Sequence, residues 1–176
     1  MTELSVDELC KIISNLTENK DCDCAINETL EFLRVIFYID IISIFRIHGD
    51  RANILVSQIF RSTIESLEVN PLLQNAPIEV FTPGWLDKMK DGAIINEAVR
   101  DLPHPDRTFF EAINTATIVT IPMFHDESMY GYLALNSHKE RIWEDKELDI
   151  IRMFTGLIAL ILYKDKLKEE KELLNN

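Results

Sequence analysis

The sequence predicts an α+β fold built around a small antiparallel sheet, and three observations point to that class. Residues 116–163 read as a strand, a tight acidic turn, a second strand and one long helix. Residues 39–48 form a β-branched apolar run that is typical of another strand, with a partner strand following a turn. Two segments with helical apolar spacing precede these strands. Hairpins with helices at both ends of the chain indicate an α+β arrangement.

The N-terminal segment has the pattern of two successive helices. Ser5 and Glu8 have the spacing of a capping box at the start of the first. Asp21 or Asp23 is expected to cap the second, which we predict to end at about Tyr38. The buried faces are predicted from apolar residues at helical spacing: Leu9, Ile12, Ile13 and Leu16 in the first helix, and Ile26, Leu30, Leu33, Ile36 and Phe37 in the second.

The strand predicted at residues 39–48 is apolar on both faces. Alternate side chains fall into two apolar sets: Ile41, Phe45 and Ile47 on one face, and Ile42 and Ile44 on the other. His48-Gly49-Asp50 is a turn signal, and residues 52–62 follow as a hairpin partner. An antiparallel strand usually leaves one face in water. We therefore predict a central strand with helices or a closed pocket above and below it.

Residues 63–105 form an irregular middle segment, where a binding site would be built. Thr82-Pro83 predicts the start of a short helix, because proline is favoured in the first helical turn. Residues 92–96 read as a short edge strand, and Asp106 is expected to cap another helix. The side chains that these two helices would carry are Trp85, Leu86 and Met89 in the first, and Phe109, Phe110 and Ile113 in the second.

The last helix is predicted to begin near Glu144 and to continue past Tyr163. An acidic first turn suits the positive end of the helix dipole. Toward the C-terminus the apolar face of this helix thins to Leu160, Leu167 and Leu174, whose spacing of seven is typical of a coiled coil. A solvated tail is the alternative. We predict one domain over residues 1–163 and a helical extension over 164–176.

Composition excludes several classes of function. The 176 residues carry a formal net charge of -12, which opposes direct binding to nucleic acid or to an anionic membrane surface. The longest apolar run, residues 153–163, is well short of the roughly 20 residues that span a bilayer. The N-terminus lacks the basic-then-apolar order of a signal peptide. The three cysteines, at positions 10, 22 and 24, form no disulfide framework, so we expect a cytoplasmic protein.

The chain resembles a GAF domain over nearly its whole length. The matching features lie mainly in the last hairpin and helix: Ile121-Pro122, the run Tyr130-Gly131-Tyr132-Leu133, Asn136, Glu147-Leu148, Ile150 and Ile151, with Asp40 and residues 94–101 earlier in the chain. The resemblance implies a central antiparallel sheet of about five or six strands, with terminal helices on one face that often dimerise. It implies a ligand pocket, or its empty remnant, under short helices and loops on the other face. Such N-terminal modules occur in enhancer-binding transcription regulators, histidine kinases, diguanylate cyclases and chemotaxis receptors. The resemblance therefore implies that residues 1–163 are a sensory domain and that residues 164–176 lead to an output domain outside this chain.

Specific GAF chemistries match poorly. Of the five-residue cyclic-nucleotide signature, Asn136 and Glu147 are present, while Ser137, Ile142 and Lys146 replace the other members. A bilin thioether or a methionine-sulfoxide reductase needs a thiol in the pocket, and the last cysteine is Cys24. The cofactor therefore stays unknown.

Other groups of reactive residue types have simpler interpretations. Cys10, Cys22 and Cys24 fall short of the four ligands of a closed zinc site. His125, Asp126 and Ser128 occupy one tight turn, where their side chains cannot form a hydrogen-bonded relay. His104 is either a ligand contact or a solvated loop residue. We predict no metal site and no catalytic residue.

The sequence therefore predicts a non-enzymatic sensory module that binds a small molecule and forms a homodimer. The predicted ligand contacts are Trp85, Ile95, Arg107 and Phe110. The predicted dimer face comprises Leu9, Ile13, Leu16, Ile150, Phe154, Leu157 and Ile161, and the alternative is that these residues belong to the internal core. A dimerisation scaffold whose pocket is filled by its own side chains is the competing function, favoured by bulky residues such as Leu72, Leu73 and Phe81.

Overall fold

The computed structural model describes residues 5–50, 53–66, 68–82, 84–104 and 106–174. The helices are α1 (Val6–Glu18), α2 (Cys22–Ile36), α3 (Leu86–Lys90), α4 (Asp106–Ala112) and α5 (Asp145–Leu174). The strands are β1 (Ile41–Gly49), β2 (Ile54–Thr63), β3 (Ala76–Pro77), β4 (Ile95–Ala98), β5 (Thr117–His125) and β6 (Ser128–Ser137). Short 3₁₀ turns at Pro71–Leu73, Ile78–Val80 and Val99–Asp101 complete the middle segment.

The strands form one antiparallel sheet in the order β3-β2-β1-β6-β5-β4. The predicted α+β class and sheet size are confirmed. The two-faced strand β1 lies between β2 and β6, as its apolar pattern predicts. The strand expected at residues 92–96 begins later, at Ile95, and ends at Ala98, because Gly92 is in a left-handed turn with φ of 85°. It forms one edge of the sheet, as predicted.

Two cores cover the two faces of this sheet. On the first face α1, α2 and α5 pack against Ile42 and Ile44 of β1. On the second face the middle segment packs against Phe45 and Ile47 of the same strand. The alternation of side chains along β1 thus places each predicted apolar set in a different core, and the expectation of cover on both faces is confirmed.

The helix ends follow from identified caps. The Ser5 side chain accepts from Glu8 N and the Glu8 carboxylate accepts from Ser5 N, which is the predicted capping box. Asp21 caps α2 by accepting from Cys24 N at 3.0 Å. The helix ends at Ile36 rather than Tyr38, because Tyr38 takes a left-handed φ of 52° and the chain then closes with the bond from Ile39 N to Arg34 O.

The third helix begins later than predicted. It starts at Leu86, and the Thr82 hydroxyl donates to Ile78 O at 2.9 Å instead of capping a helix. Pro83, the other half of the predicted start, lies outside the described residues. Helix α5 begins at Asp145, next to the predicted Glu144, and runs without a break past Tyr163.

A bulge near the start of β6 decides which core each of its tyrosines joins. Met123 pairs with Gly131 and Phe124 pairs with Met129, so Tyr130 has no partner residue on β5. The extra residue reverses the alternation of faces at this point. Tyr130 packs against the first core, whereas Tyr132 belongs to the second.

Candidate ligand-binding site

A cavity of about 100 Å³ lies between the second face of the sheet and the middle segment. Its floor is formed by β1, β2, β5 and β6, and its roof by the first 3₁₀ turn, the chain around Phe81, and α4. Among the described residues of its wall, Arg61 is the charged one, and the others are apolar or neutral polar.

The cavity exists because the centre of this sheet face carries small side chains. Ser43, Ala134 and Thr120 pair in one row across three strands, Arg61 extends the row onto β2, and all four line the cavity. Larger residues flank the row, with Ile118 on one side and the stacked rings of Phe45 and Tyr132 on the other. The methyl group of Ala134 leaves space that a branched side chain would fill.

Neutral polar groups on the floor are tied into hydrogen bonds. Gln58 Nε2 donates to Ser43 Oγ at 3.0 Å, and Gln58 Oε1 accepts from Asn70 N at 2.7 Å. Asn136 Nδ2 donates to Thr115 Oγ1 at 3.1 Å, and all of these side chains except that of Asn70 are buried. Burying such groups is tolerated because their partners replace water. The bonds fix the floor and join β2 to the loop that forms part of the roof.

Tyr132 is the exception among the polar groups of the wall. Its side chain is 1% exposed, and its hydroxyl has no hydrogen-bond partner in the part of the chain that the structure describes. The ring stacks on Phe45 with centroids 5.0 Å apart. Burial away from water raises the pKa of this phenol well above its usual value, so the hydroxyl stays a neutral donor. An unpaired buried hydroxyl costs about 1–3 kcal/mol.

The roof is aromatic. Phe81 stacks on Phe45 at 5.7 Å between centroids and meets Phe109 edge to face at 5.1 Å. Phe109 in turn contacts Phe110 at 5.2 Å, and Phe110 contacts Trp85 at 6.0 Å. These rings contact the sheet through apolar surfaces, whereas the part of the roof at Asn70 is tied to β2 by a hydrogen bond.

Comparison with solved structures identifies the fold. A phycocyanobilin-bound GAF domain from a cyanobacterial phytochrome matches with a TM-score of 0.74 over 91% of this chain and 94% of that chain, at 18% identity. The PixJ GAF domain of Thermosynechococcus elongatus, in its blue-light absorbing form, matches with a TM-score of 0.66 over 97% and 95%, at 15% identity. This chain has a GAF fold. The sequence itself matches no protein-family profile and no curated protein.

The GAF fold is shared with signalling proteins of another kind. The GAF domain of a two-component sensor histidine kinase from Bacillus halodurans matches with a TM-score of 0.64, at 14% identity, over 82% of this chain and 95% of that chain. The resemblance expected from the last hairpin and helix is therefore confirmed at the level of the fold.

The structure places the four predicted ligand contacts in three different environments. Phe110 lines the cavity, whereas Trp85 and Ile95 are buried in the same core beyond its wall. Arg107 lies on the outer side of α4, where its Nε is 3.3 Å from Glu111 Oε1 and its Nη1 donates to Arg100 O at 3.5 Å. Packing places Phe81 of the middle segment and Phe109 and Phe110 of α4 in the roof of this cavity.

The floor of the cavity supplies residues that the sequence prediction missed. Tyr132, Gln58, Ser43 and Arg61 all line it, and none was a predicted contact. A signal was present in β1, where Ser43 interrupts the apolar set formed by Ile41, Phe45 and Ile47. A polar residue in that alternating set, inside a strand expected to be covered on both faces, needs a polar partner or a ligand.

The residues of the predicted dimer face differ in how deeply the chain itself buries them. Leu16 and Phe154 are 2% and 0% exposed within the chain itself, so the expectation that they face a partner is corrected: helix packing places both in the first core. The other predicted residues, all partly buried against that core, are Leu9, Ile13, Ile150, Leu157 and Ile161. Their remaining exposed surface leaves the interface a prediction.

The other reactive groups show no assembled site. Across the described residues, no cluster of three or more histidine, cysteine, aspartate or glutamate side chains has the arrangement of a metal site. His125 pairs with the exposed Asp126 in the β5–β6 turn and stacks on Tyr163 of α5. No helix in the described ranges combines the length and the apolar character that a membrane span requires.

Proposed function

We propose that this chain is a non-enzymatic sensory module that binds a small molecule between the sheet and the middle segment. The observation that carries the proposal is the cavity itself, which lies between the sheet and an aromatic roof and has Arg61, Gln58 and Ser43 among its wall residues. A concave, mostly apolar site with a few polar groups is the usual form of a small-molecule site, and the polar groups orient the ligand. The described wall offers hydrogen-bonding and apolar groups but no assembled nucleophile and base, which supports binding rather than catalysis.

The ligand is small and is held without a covalent bond. Small-molecule sites commonly measure about 300–1,000 Å³, whereas this cavity is about 100 Å³. One structural neighbour holds phycocyanobilin. In this chain the described cysteines lie on α1 and α2, which pack on the opposite face of the sheet. A thioether to a ligand in this cavity is therefore not available from them.

Strand β6 is the proposed route from the cavity to the terminal helices. Tyr132 lines the cavity on one face, and the Tyr130 hydroxyl donates to Ala159 O of α5 at 3.0 Å on the other. A displacement of β6 toward a ligand would therefore act directly on α5. The signal would be a shift in the equilibrium between two arrangements of the terminal helices. The ligand can shift that equilibrium only to the extent that it binds one arrangement more tightly than the other.

Helix α5 is the proposed output and dimer element. Met153, Leu160, Leu167 and Leu174 recur every seven residues, and all four side chains are exposed. This spacing is that of one position of a coiled-coil seam. A parallel pair of α5 helices would continue into the output domain of a transcription regulator, or of a histidine kinase, diguanylate cyclase or chemotaxis receptor. Because the net charge of -12 opposes binding of nucleic acid by this chain, any such contact is proposed to belong to that output domain. We propose the cytoplasm as the location.

Native mass spectrometry of the purified chain tests this function. A dimer that carries extra mass, released on collisional activation, supports the sensory role and provides the mass of the ligand. The Ala134→Leu variant, which fills the cavity, should form the same dimer without the added mass. Retention of the mass by Ala134→Leu would place the ligand elsewhere and contradict the proposed site.

A dimerisation scaffold without a ligand is the second candidate. The aromatic roof favours it, because Phe45, Phe81, Phe109 and Phe110 already contact one another ring to ring at the cavity. A dimer that carries no added mass after incubation with cell extract would support this scaffold over the sensor.

A further inference from the structure

We infer that the ligand of the cavity is a small organic monocarboxylate whose carboxylate pairs with Arg61. This inference rests on the sensory function proposed above, and it assigns the chemical class of the ligand. It follows from the charge of the cavity wall, the bonding of Arg61 and the volume available.

The charge of the wall favours an anionic ligand. Among the described wall residues, Arg61 brings a permanent positive charge, and no wall carboxylate opposes it. The remaining polar wall groups are neutral amides and hydroxyls, as in Gln58, Ser43, Thr120 and Tyr132. A cationic ligand would find no countercharge here, and a neutral one would leave the guanidinium unused.

The guanidinium of Arg61 has bonding capacity to spare. It forms no ion pair within the described residues, and its Nη1 makes one long hydrogen bond of 3.4 Å to the backbone O of Glu68. A guanidinium offers five N–H donors in a planar fork that matches the two oxygens of a carboxylate. A single bond to a carbonyl leaves donors free for such a pair.

The position of Arg61 places a carboxylate at one end of the cavity. Arg61 begins the row that continues through Ser43 and Ala134 to Thr120 across the sheet. Strand β3 pairs only with Leu55 and Val56, so at Arg61 the strand β2 is the outer one and lies next to the loop carrying Glu68. The charged end of a ligand would thus stay near solvent while its body lies over Ala134.

The volume restricts the body to a few carbon atoms. An apolar cavity of roughly 150 Å³ in another protein holds benzene, and this one measures about 100 Å³ with the rings of Phe109 and Phe110 in its roof. A short branched chain therefore fits without displacing the roof, whereas a benzene ring would require the roof to move. The acidity of the whole chain, at -12, favours a ligand with one negative charge over a polyanion.

Neighbouring acids leave Arg61 available. Asp40 and Glu65 line an adjacent groove together with Arg61, and they are the carboxylates that could compete for its guanidinium. Asp40 Oδ2 instead accepts from His138 N at 2.7 Å, and the described structure contains no ion pair from either acid to Arg61. The groove therefore does not neutralise the charge that the cavity presents.

The test uses two pairs of probes that differ in charge but not in shape. Benzoate is compared with benzamide, and 3-methylbutanoate with 3-methylbutanamide, by isothermal titration of the purified chain. Backbone amide shifts of Thr120 and Ala134 in NMR spectra locate the bound probe. The variants are Arg61→Gln, with Arg152→Gln on the exposed face of α5 as the matched loss of charge, and Ala134→Leu, which blocks the cavity.

We expect at least one acid to bind more tightly than its amide and to shift the signals of Thr120 and Ala134. Arg61→Gln should weaken acid binding roughly tenfold to hundredfold, because hydrogen bonds to charged groups are the stronger class. Arg152→Gln should leave it unchanged, and Ala134→Leu should abolish it. Circular dichroism checks that each variant keeps its fold.

Two results separate this inference from the proposed function. If an amide binds in the cavity as tightly as its acid, or if Arg61→Gln binds the acid normally, the carboxylate assignment is wrong while the sensory cavity stands. If no probe binds and native mass spectrometry finds no added mass, both the assignment and the proposed function fail.

Discussion

Tyr130 and Tyr132 lie two residues apart on β6, yet their hydroxyls have opposite environments. Tyr130 donates to Ala159 O of α5 at 3.0 Å, whereas the Tyr132 hydroxyl is buried without a partner in the described structure. The bulge at Tyr130 produces this difference, because it sends the two rings to opposite faces of the sheet. One hydroxyl bonds to α5, and the other belongs to a ring that borders the candidate site.

Removing the two hydroxyls should therefore have opposite effects on stability. Tyr130→Phe loses a satisfied hydrogen bond and should lower the free energy of unfolding by about 1 kcal/mol. Tyr132→Phe removes an unsatisfied buried group and should leave stability unchanged or raise it by about 1 kcal/mol. Urea denaturation of the unliganded chain measures both. Equal destabilisation by the two variants would mean that the Tyr132 hydroxyl has a partner.

Alkaline pH should destabilise the chain through the same tyrosines. Burial raises the pKa of Tyr130 and of Tyr132 above the value of about 10 expected in the unfolded chain. Below pH ~10 both states keep the phenol protonated, so stability is retained; above it the unfolded chain loses protons first and stability falls. Urea denaturation between pH 8 and pH 11 should show this fall, with a smaller slope in Tyr132→Phe. A slope in Tyr132→Phe equal to that of the unsubstituted chain would mean that this buried phenol does not contribute to the fall.

Filling the cavity should stabilise the unliganded chain. Ala134→Leu places a larger side chain over the row of small residues and should raise the free energy of unfolding by about 1 kcal/mol, as cavity-filling changes commonly do. Ala25→Leu is the matched control, because Ala25 is 0% exposed in the helical core and does not line the cavity. Overpacking there should cost about 1–3 kcal/mol. Destabilisation of the same size at both positions, measured by thermal unfolding, would indicate that the space above Ala134 is already filled.

Much of the fold could be predicted from local patterns. The capping box of Ser5 and Glu8 places the start of α1, and the two-sided apolar pattern of residues 39–48 places β1 inside the sheet. Both signals depend on residues close in sequence, where spacing alone determines which groups meet.

The candidate site could be predicted only as a region. Which side chains border the empty space depends on the bulges at Ile44/Phe45 and at Tyr130, and no residue type in the sequence specifies these. The roof depends on rings from segments far apart along the chain, such as Phe45 and Phe109. Trp85 and Ile95 were reasonable contacts by segment, but long-range packing buries them beyond the wall.

Two glycines should differ sharply in their tolerance of a methyl group. A Cβ at Gly131 would meet the backbone O of Phe45 in the neighbouring strand, closer than real Cβ atoms lie, so Gly131→Ala must displace β1 or β6. Gly156 lies on the exposed side of α5 with nothing near a Cβ, and Gly156→Ala should stabilise by about 0.5–1 kcal/mol through helix propensity. Thermal unfolding should show a loss in the first variant and a gain in the second. A tolerated Gly131→Ala would mean that the two strands separate easily at the bulge.

The exposed leucines of α5 provide a direct test of the proposed dimer. Leu157 is partly buried against the first core, so a charge there would perturb folding as well as association. Leu160 and Leu167 are 61% and 45% exposed, and the double variant Leu160→Glu/Leu167→Glu places like charges on both helices of a parallel pair. Sedimentation equilibrium should show weaker dimerisation, with a Kd raised roughly tenfold or more, which corresponds to about 1.4 kcal/mol of lost association free energy. Ile142→Glu, at a residue 94% exposed outside α5, should leave the Kd unchanged. A double variant that dimerises as tightly as the unsubstituted chain would move the interface from this stripe to the exposed parts of α1.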